Sequence, residues 1–105
     1  MKAIINGRRY DTDKADDLGG NSSDCGVSDF SYFSERLYRT PRSGRYFLAG
    51  EGGPMSRYAR SLGGGGWSGS EKITPLTDEE AFGWAQDSLD ADEVERLFAD
   101  KIEDA

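Results

Sequence analysis

Carboxylates are the most abundant reactive groups in this chain, and their spacing decides which chemistry is open to them. Asp11, Asp13, Asp16 and Asp17 invite a calcium or magnesium reading. An EF-hand loop needs oxygen ligands at fixed positions, a glycine at the sixth and a glutamate at the twelfth. Counted from Asp11 those places hold Asp16 and Ser22, so the pattern fails and solvated carboxylates are expected. Asp78, Glu79 and Glu80 would supply the paired acids of glycoside cleavage. Thr77 and Glu80 also read as a capping box, which explains the same three acids as a helix start. A phosphate-binding loop needs a Gly-Lys pair after a strand, and the chain has none. Cys25 lies beside Asp24 and near Asp29. Neighbouring negative charge disfavours the thiolate, so an inert thiol is expected. The chain has no histidine, which removes the Ser-His-Asp triad, the Cys-His pair and His-ligated zinc or haem. One cysteine allows neither an intrachain disulfide nor a Cys-only metal cage. The expectation is a protein that is not an enzyme and has no metal or cofactor.

Charge carries more information than catalytic motifs do. The net charge is −7, but residues 1–70 hold 10 basic and 8 acidic side chains, while residues 71–105 hold 3 basic and 12 acidic. Arg36, Arg39, Arg42, Arg45, Arg57 and Arg60 stand against Glu51 alone between residues 36 and 60. Two readings stay open. The basic middle and acidic tail pack near each other and neutralise, or at least one is an interaction surface that steers a partner. On the second reading the candidate partner-binding residues are Asp87, Asp92, Glu93, Glu95 and Asp100, carboxylates on successive helical turns. Arg36, Arg39, Arg42 and Arg45, interleaved with Tyr32, Tyr38 and Tyr46, form a secondary basic surface of the kind that grips phosphate and stacks bases. The whole-chain charge repels a polyanion, so direct nucleic-acid binding is not the leading expectation.

These side chains must be held by a small domain. At 105 residues one domain spans 1–105. Ile, Leu, Val and Phe make up only 18 residues, but five Phe, five Tyr and two Trp compensate, because each aromatic buries about 150–250 Å². The Asn6-Gly7 pair between apolar and mixed runs predicts a hairpin with strands at 2–5 and 8–11. Thr12 is read as the cap of a short helix over 13–18, stopped by Gly19-Gly20, with a polar loop over 19–29. Residues 30–40 and 45–49 read as a second hairpin about the turn at 41–44, forming the centre of a sheet. Residues 54–61 are read as one or two helical turns and Gly63–Gly66 as a loop. Residues 72–76 make an edge strand ending near Pro75. Two helices follow. The first is capped by Thr77 and Glu80, with Phe82, Ala85 and Leu89 on one face and Trp84 beside it. The second is capped by Asp90, with Val94, Leu97, Phe98 and Ile102 as its stripe. The fold class is therefore α+β: a small antiparallel sheet built from two hairpins plus an edge strand, packed by two C-terminal helices. No apolar run approaches the ~18–20 residues of a membrane span, and residues 1–11 lack a signal-peptide core, so no membrane association is expected.

Residues 5–12 (INGRRYDT), 37–59 (LYRTPRSGRYFLAGEGGPMSRYA) and 73–81 (ITPLTDEEA) together resemble a family of small acidic proteins of Gram-positive mobile elements, conjugative elements and prophages. Its members are mostly hypothetical proteins, so the resemblance transfers no functional residues. Short, acidic, enzyme-poor proteins of such elements include inhibitors of host defence, notably anti-CRISPR proteins. By that analogy the expected function is a non-enzymatic inhibitor, cytoplasmic in its bacterial host. It would bind a CRISPR-Cas effector complex and block nucleic-acid binding through an acidic surface that acts as a DNA mimic. The alternatives are an accessory protein-interaction module of the mobile element, or a small RNA- or DNA-binding module using the arginine hairpin. A homodimer through hairpin aromatics also stays open.

Overall fold

A computed structural model describes residues 1–22, 32–53, 58, 60–62 and 66–105. The class is α+β, as the sequence predicts. The first hairpin forms where Asn6-Gly7 puts it: β1 (Lys2–Ile5) pairs antiparallel with β2 (Arg8–Asp11). Asn6 at φ 52° and Gly7 at φ 76° supply the two positive-φ positions of a type I′ turn. This hairpin does not join the main sheet. It forms a two-stranded sheet of its own, and its inward residues pack against one face of the main sheet.

The main sheet has four antiparallel strands in the order β3–β4–β5–β8. Its centre is the expected hairpin, β4 (Phe33–Arg39) and β5 (Tyr46–Gly52), and β8 (Ser70–Leu76) forms one edge with Pro75 near its end. The other edge corrects the sequence reading. Asp16–Ser22 is a strand, β3, where a helix over 13–18 and the start of a loop were expected. The Asp11 carboxylate accepts the Asp13 amide at 3.0 Å and the Asp11 carbonyl accepts the Lys14 amide at 3.2 Å, which turns the chain back. Asp16 onward then pairs with β4, and the register shifts between Asp17 and Gly19. Gly19-Gly20-Asn21 is a poor strand sequence, but β4 offers a free edge whose backbone groups need partners, and tertiary pairing overrides local preference.

A third hairpin, β6 (Arg60–Leu62) with β7 (Gly66–Ser68), lies in the glycine-rich segment. Arg60 and Ser61 therefore belong to a strand rather than to helical turns, and Gly66 opens a strand rather than closing a loop. Cys25, residues 54–57 and Gly63 to Gly65 lie outside the described residues.

Helix α1 (Asp78–Ser88) begins with the expected capping box: the Thr77 hydroxyl accepts the Glu80 amide at 3.1 Å and the Glu80 carboxylate accepts the Thr77 amide at 2.9 Å. Helix α2 (Ala91–Phe98) begins at Asp90, whose carboxylate accepts the Glu93 amide at 2.9 Å. It ends sooner than its stripe suggested. A 3₁₀ turn over Ala99–Lys101 follows, and Ile102 is left 40% exposed instead of joining the core.

The two sheet faces build two cores. On the helix side Leu37 and Leu48, paired in register, pack with Ala81, Ala85, Val94 and Phe98. The small alanines let α1 lie close, and Phe98 meets Tyr46 and Phe82 at ring separations of 5.6 and 5.3 Å. On the hairpin side Phe47 and Ile73 pack with Tyr10 and Ala49. There Phe47 stacks on Tyr38 at 5.3 Å and meets Tyr10 edge-on at 5.4 Å. Such pairs add about 0.5–1.5 kcal/mol each beyond area burial, so aromatics do the work of the scarce aliphatics.

Candidate functional site

The acidic residues singled out from the sequence divide into an outward group and one exception. Asp87 in the last turn of α1, Asp92 and Glu95 on α2, and Asp100 in the 3₁₀ turn are exposed and make no ion pair with a described residue. Successive helical residues turn by about 100°, so Arg96 stands opposite Val94 and Phe98, with Asp92 about 40° and Glu95 about 100° to one side of it. Glu93 departs from that group. It is half-buried at the β3 edge, where a Cβ at Gly19 would stand 3.1 Å from its Oε2. The outward carboxylates leave negative charge exposed on α1, on α2 and on the 3₁₀ turn that follows.

The four arginines of the central hairpin do not form one surface. Arg36 and Arg39 are three residues apart on β4, and strand side chains alternate, so they leave opposite faces. Arg36 lies on the hairpin side, where it holds Asp17 through two bonds, Nε to Oδ2 at 2.7 Å and Nη2 to Oδ1 at 3.1 Å. That fork geometry is the ion pair formed among the described residues. The bond to Asp17 raises the Arg36 pKa against the opposing effect of burial, and the charge of Glu93 adds to the rise. Arg39 lies on the helix side, 5.8 Å above the Tyr46 ring. Arg42 sits in the β4–β5 turn and Arg45 at its end, both exposed and without an ion pair to a described residue. Tyr38, on the Arg36 side, has its phenol pKa raised by burial first and the Asp17 charge second.

Among the described residues no ion pair joins the basic middle to the acidic tail, although Arg36 feels the charge of Glu93. An open groove of about 700 Å³ brings Arg8 and Arg45 to the side of Asp78, Glu79 and Glu80, and no ion pair among the described residues crosses it.

Sequence reasoning missed one polar cluster altogether. Glu35 on β4 is only 2% exposed. It accepts a short hydrogen bond from the Tyr58 hydroxyl and a longer one, at 3.3 Å, from Trp84 Nε1 of α1. The Tyr58 carbonyl in turn accepts from the Ser70 hydroxyl, which ties this part of the β5–β8 connection to the sheet at two points. Gly50 makes room for it, since a Cβ there would overlap the Tyr58 phenol. The signal was present in the alternation of β4, where Glu35 shares a face with Leu37. A buried carboxyl held by donors from α1 and from the β5–β8 connection fixes the geometry between them. Glu51 and Glu71 were also overlooked. They stand directly opposite in the β5–β8 register, both exposed, a like-charge pair that weakens the sheet slightly.

No three His, Cys, Asp or Glu side chains among the described residues converge as metal ligands, and no described helix is long and apolar enough to cross a membrane. The chain matches no protein-family model, no curated protein and no solved structure.

Proposed function

We propose that the protein acts without catalysis, by stoichiometric binding of a protein partner through the outward carboxylates of its C-terminal helices. The observation that carries this reading is that Asp87, Asp92, Glu95 and Asp100 stay exposed and free of ion pairs with described residues, although the chain holds thirteen basic side chains. A surface that the fold leaves electrostatically unsatisfied is available to a basic groove on another molecule. With the likeness to small acidic proteins of Gram-positive mobile elements, the partner proposed is a nucleic-acid-handling defence complex, a CRISPR-Cas effector. There the carboxylates occupy the place of nucleic-acid phosphates, and the protein is an anti-CRISPR inhibitor.

The test is direct. Purified protein is added in excess to a panel of such effectors, and target binding and cleavage are measured. Inhibition that is lost on reversing Asp92 and Glu95 to lysine, with an unchanged circular dichroism spectrum, supports the proposal. Reversal of Glu93 is expected to matter less for binding, because that side chain lies at the β3 edge. Full effector activity across the panel refutes the antidefence role. Inhibition that survives the charge reversal refutes the mimicry alone.

A further inference from the structure

Cations from three separate parts of the chain meet on the hairpin side of the molecule, away from the acidic helices. Arg9 of β2, Lys14 in the turn that follows and Arg42 in the β4–β5 turn line one groove of about 450 Å³. All three are exposed, and none makes an ion pair with a described residue. Asp11 lines the same groove and accepts the Asp13 amide, so the three cations outnumber the acid there and the lining stays positive. Directly across the strand pair from Arg9 stands Ile4. At 64% exposure it is the most exposed large apolar side chain among the described residues. Cross-strand partners hold their Cβ atoms about 4.5–5.5 Å apart, so cation and aliphatic group present themselves together.

We propose that this groove docks a short acidic segment of a partner protein, one that carries an aliphatic residue beside its carboxylates. Two arginine forks and a lysine match carboxylates, and Ile4 gives the segment an apolar anchor that excludes water around the charged contacts. Nucleic acid fits less well on three counts. The net charge of −7 repels a long polyanion far more than a segment with a few carboxylates. Among the described residues no exposed aromatic lines the groove to stack a base. Ile4 has no counterpart on a phosphate backbone. This surface lies on the other side of the sheet from α1 and α2, so it does not depend on the acidic face being a binding site.

The experiment is an NMR titration of the ¹⁵N-labelled full chain at low salt with three probes. These are a short Asp/Glu peptide with one central leucine, the same peptide with serine at its centre, and an oligothymidylate of equal charge. The leucine peptide is expected to shift the amides of Ile4, Arg9, Lys14 and Arg42 and to bind more tightly than either other probe. Arg9→Ala combined with Arg42→Ala is expected to weaken it about tenfold, with the resonances of α1 and α2 unmoved. Affinity is expected to fall as salt shortens the screening length. Absence of shifts at these residues overturns the proposal, as does a response that survives both substitutions. Equal binding of the serine peptide overturns it as well, and tighter binding of oligothymidylate gives the groove to nucleic acid.

Discussion

Replacing Tyr58 by phenylalanine removes one hydroxyl and leaves the ring over Gly50 in place. That hydroxyl donates to Glu35, a carboxyl with 2% exposure, and water has almost no access to take over the bond. A hydrogen bond to a charged group contributes about 1.5–3 kcal/mol, and a buried partner deprived of its donor keeps its desolvation penalty. Among the described donors Trp84 Nε1 still reaches Glu35, at 3.3 Å, and a bond that long is weaker than the one removed. Tyr58→Phe is therefore expected to cost about 2 kcal/mol. For a domain of this size 1 kcal/mol shifts the midpoint by about 4–8 °C, so the melting temperature should fall by roughly 10 °C. Urea denaturation followed by near-ultraviolet circular dichroism measures the loss, and an unchanged m value shows that the unfolded reference has not moved. Tyr38→Phe serves as the control, because the half-exposed Tyr38 phenol makes no hydrogen bond to a described side chain, and a change within about 0.5 kcal/mol is expected. A double-mutant cycle with Glu35→Gln should give a coupling of about 1 kcal/mol or more. A Tyr58→Phe loss under about 0.5 kcal/mol, or coupling near zero, refutes the idea that this cluster ties the β5–β8 connection to the sheet.

Gly50→Ala places a methyl group where the Tyr58 phenol lies, so it is expected to displace the ring and destabilise more than Tyr58→Phe does, by about 3 kcal/mol, read by the same urea titration. Glu71→Lys replaces a like-charge pair with Glu51 by an opposite one and should stabilise the sheet by about 0.5 kcal/mol, an effect that shrinks in high salt. Tyr38 has a folded pKa raised above its ordinary 10.0, so its contribution is complete below pH 10 and is lost as pH rises through the folded value. Stability measured against pH should thus fall on the alkaline side of 10, less steeply in Tyr38→Phe. An identical alkaline slope in that variant counts against the assignment.

Much of the fold was legible because its signals are local. Asn6-Gly7 turns the chain with its own backbone, and Thr77 with Glu80 satisfies the first amides of α1 within four residues. Asp90 does the same for α2. The density of aromatic and β-compatible residues over 30–40 and 45–49, about the turn at 41–44, placed the central hairpin correctly over its described residues. The reading of 13–18 as a helix failed because that segment has no strong preference of its own. What decided it was the free edge of β4, which pairs with β3 across some twenty residues of sequence. Ile102 continued the spacing of the helical stripe, but α2 had already given way to a 3₁₀ turn.

The sequence by itself determined the amounts of charge, the absence of histidine chemistry and the order of local elements, all of which are properties of residue type and near neighbours. Only the tertiary structure decided where those charges face. Side chains on a strand alternate, so a run of arginines close in sequence is divided between two surfaces, with Arg36 bound to Asp17 and Arg39 over Tyr46. Packing a hairpin on one face of the sheet and helices on the other brought Arg9, Lys14 and Arg42 together from distant positions and kept the acidic helices apart from them. The same layering buried Glu35 and supplied its donors from Tyr58 and Trp84. Distance along the chain carries none of this, because which groups meet depends on which faces must be hidden from water.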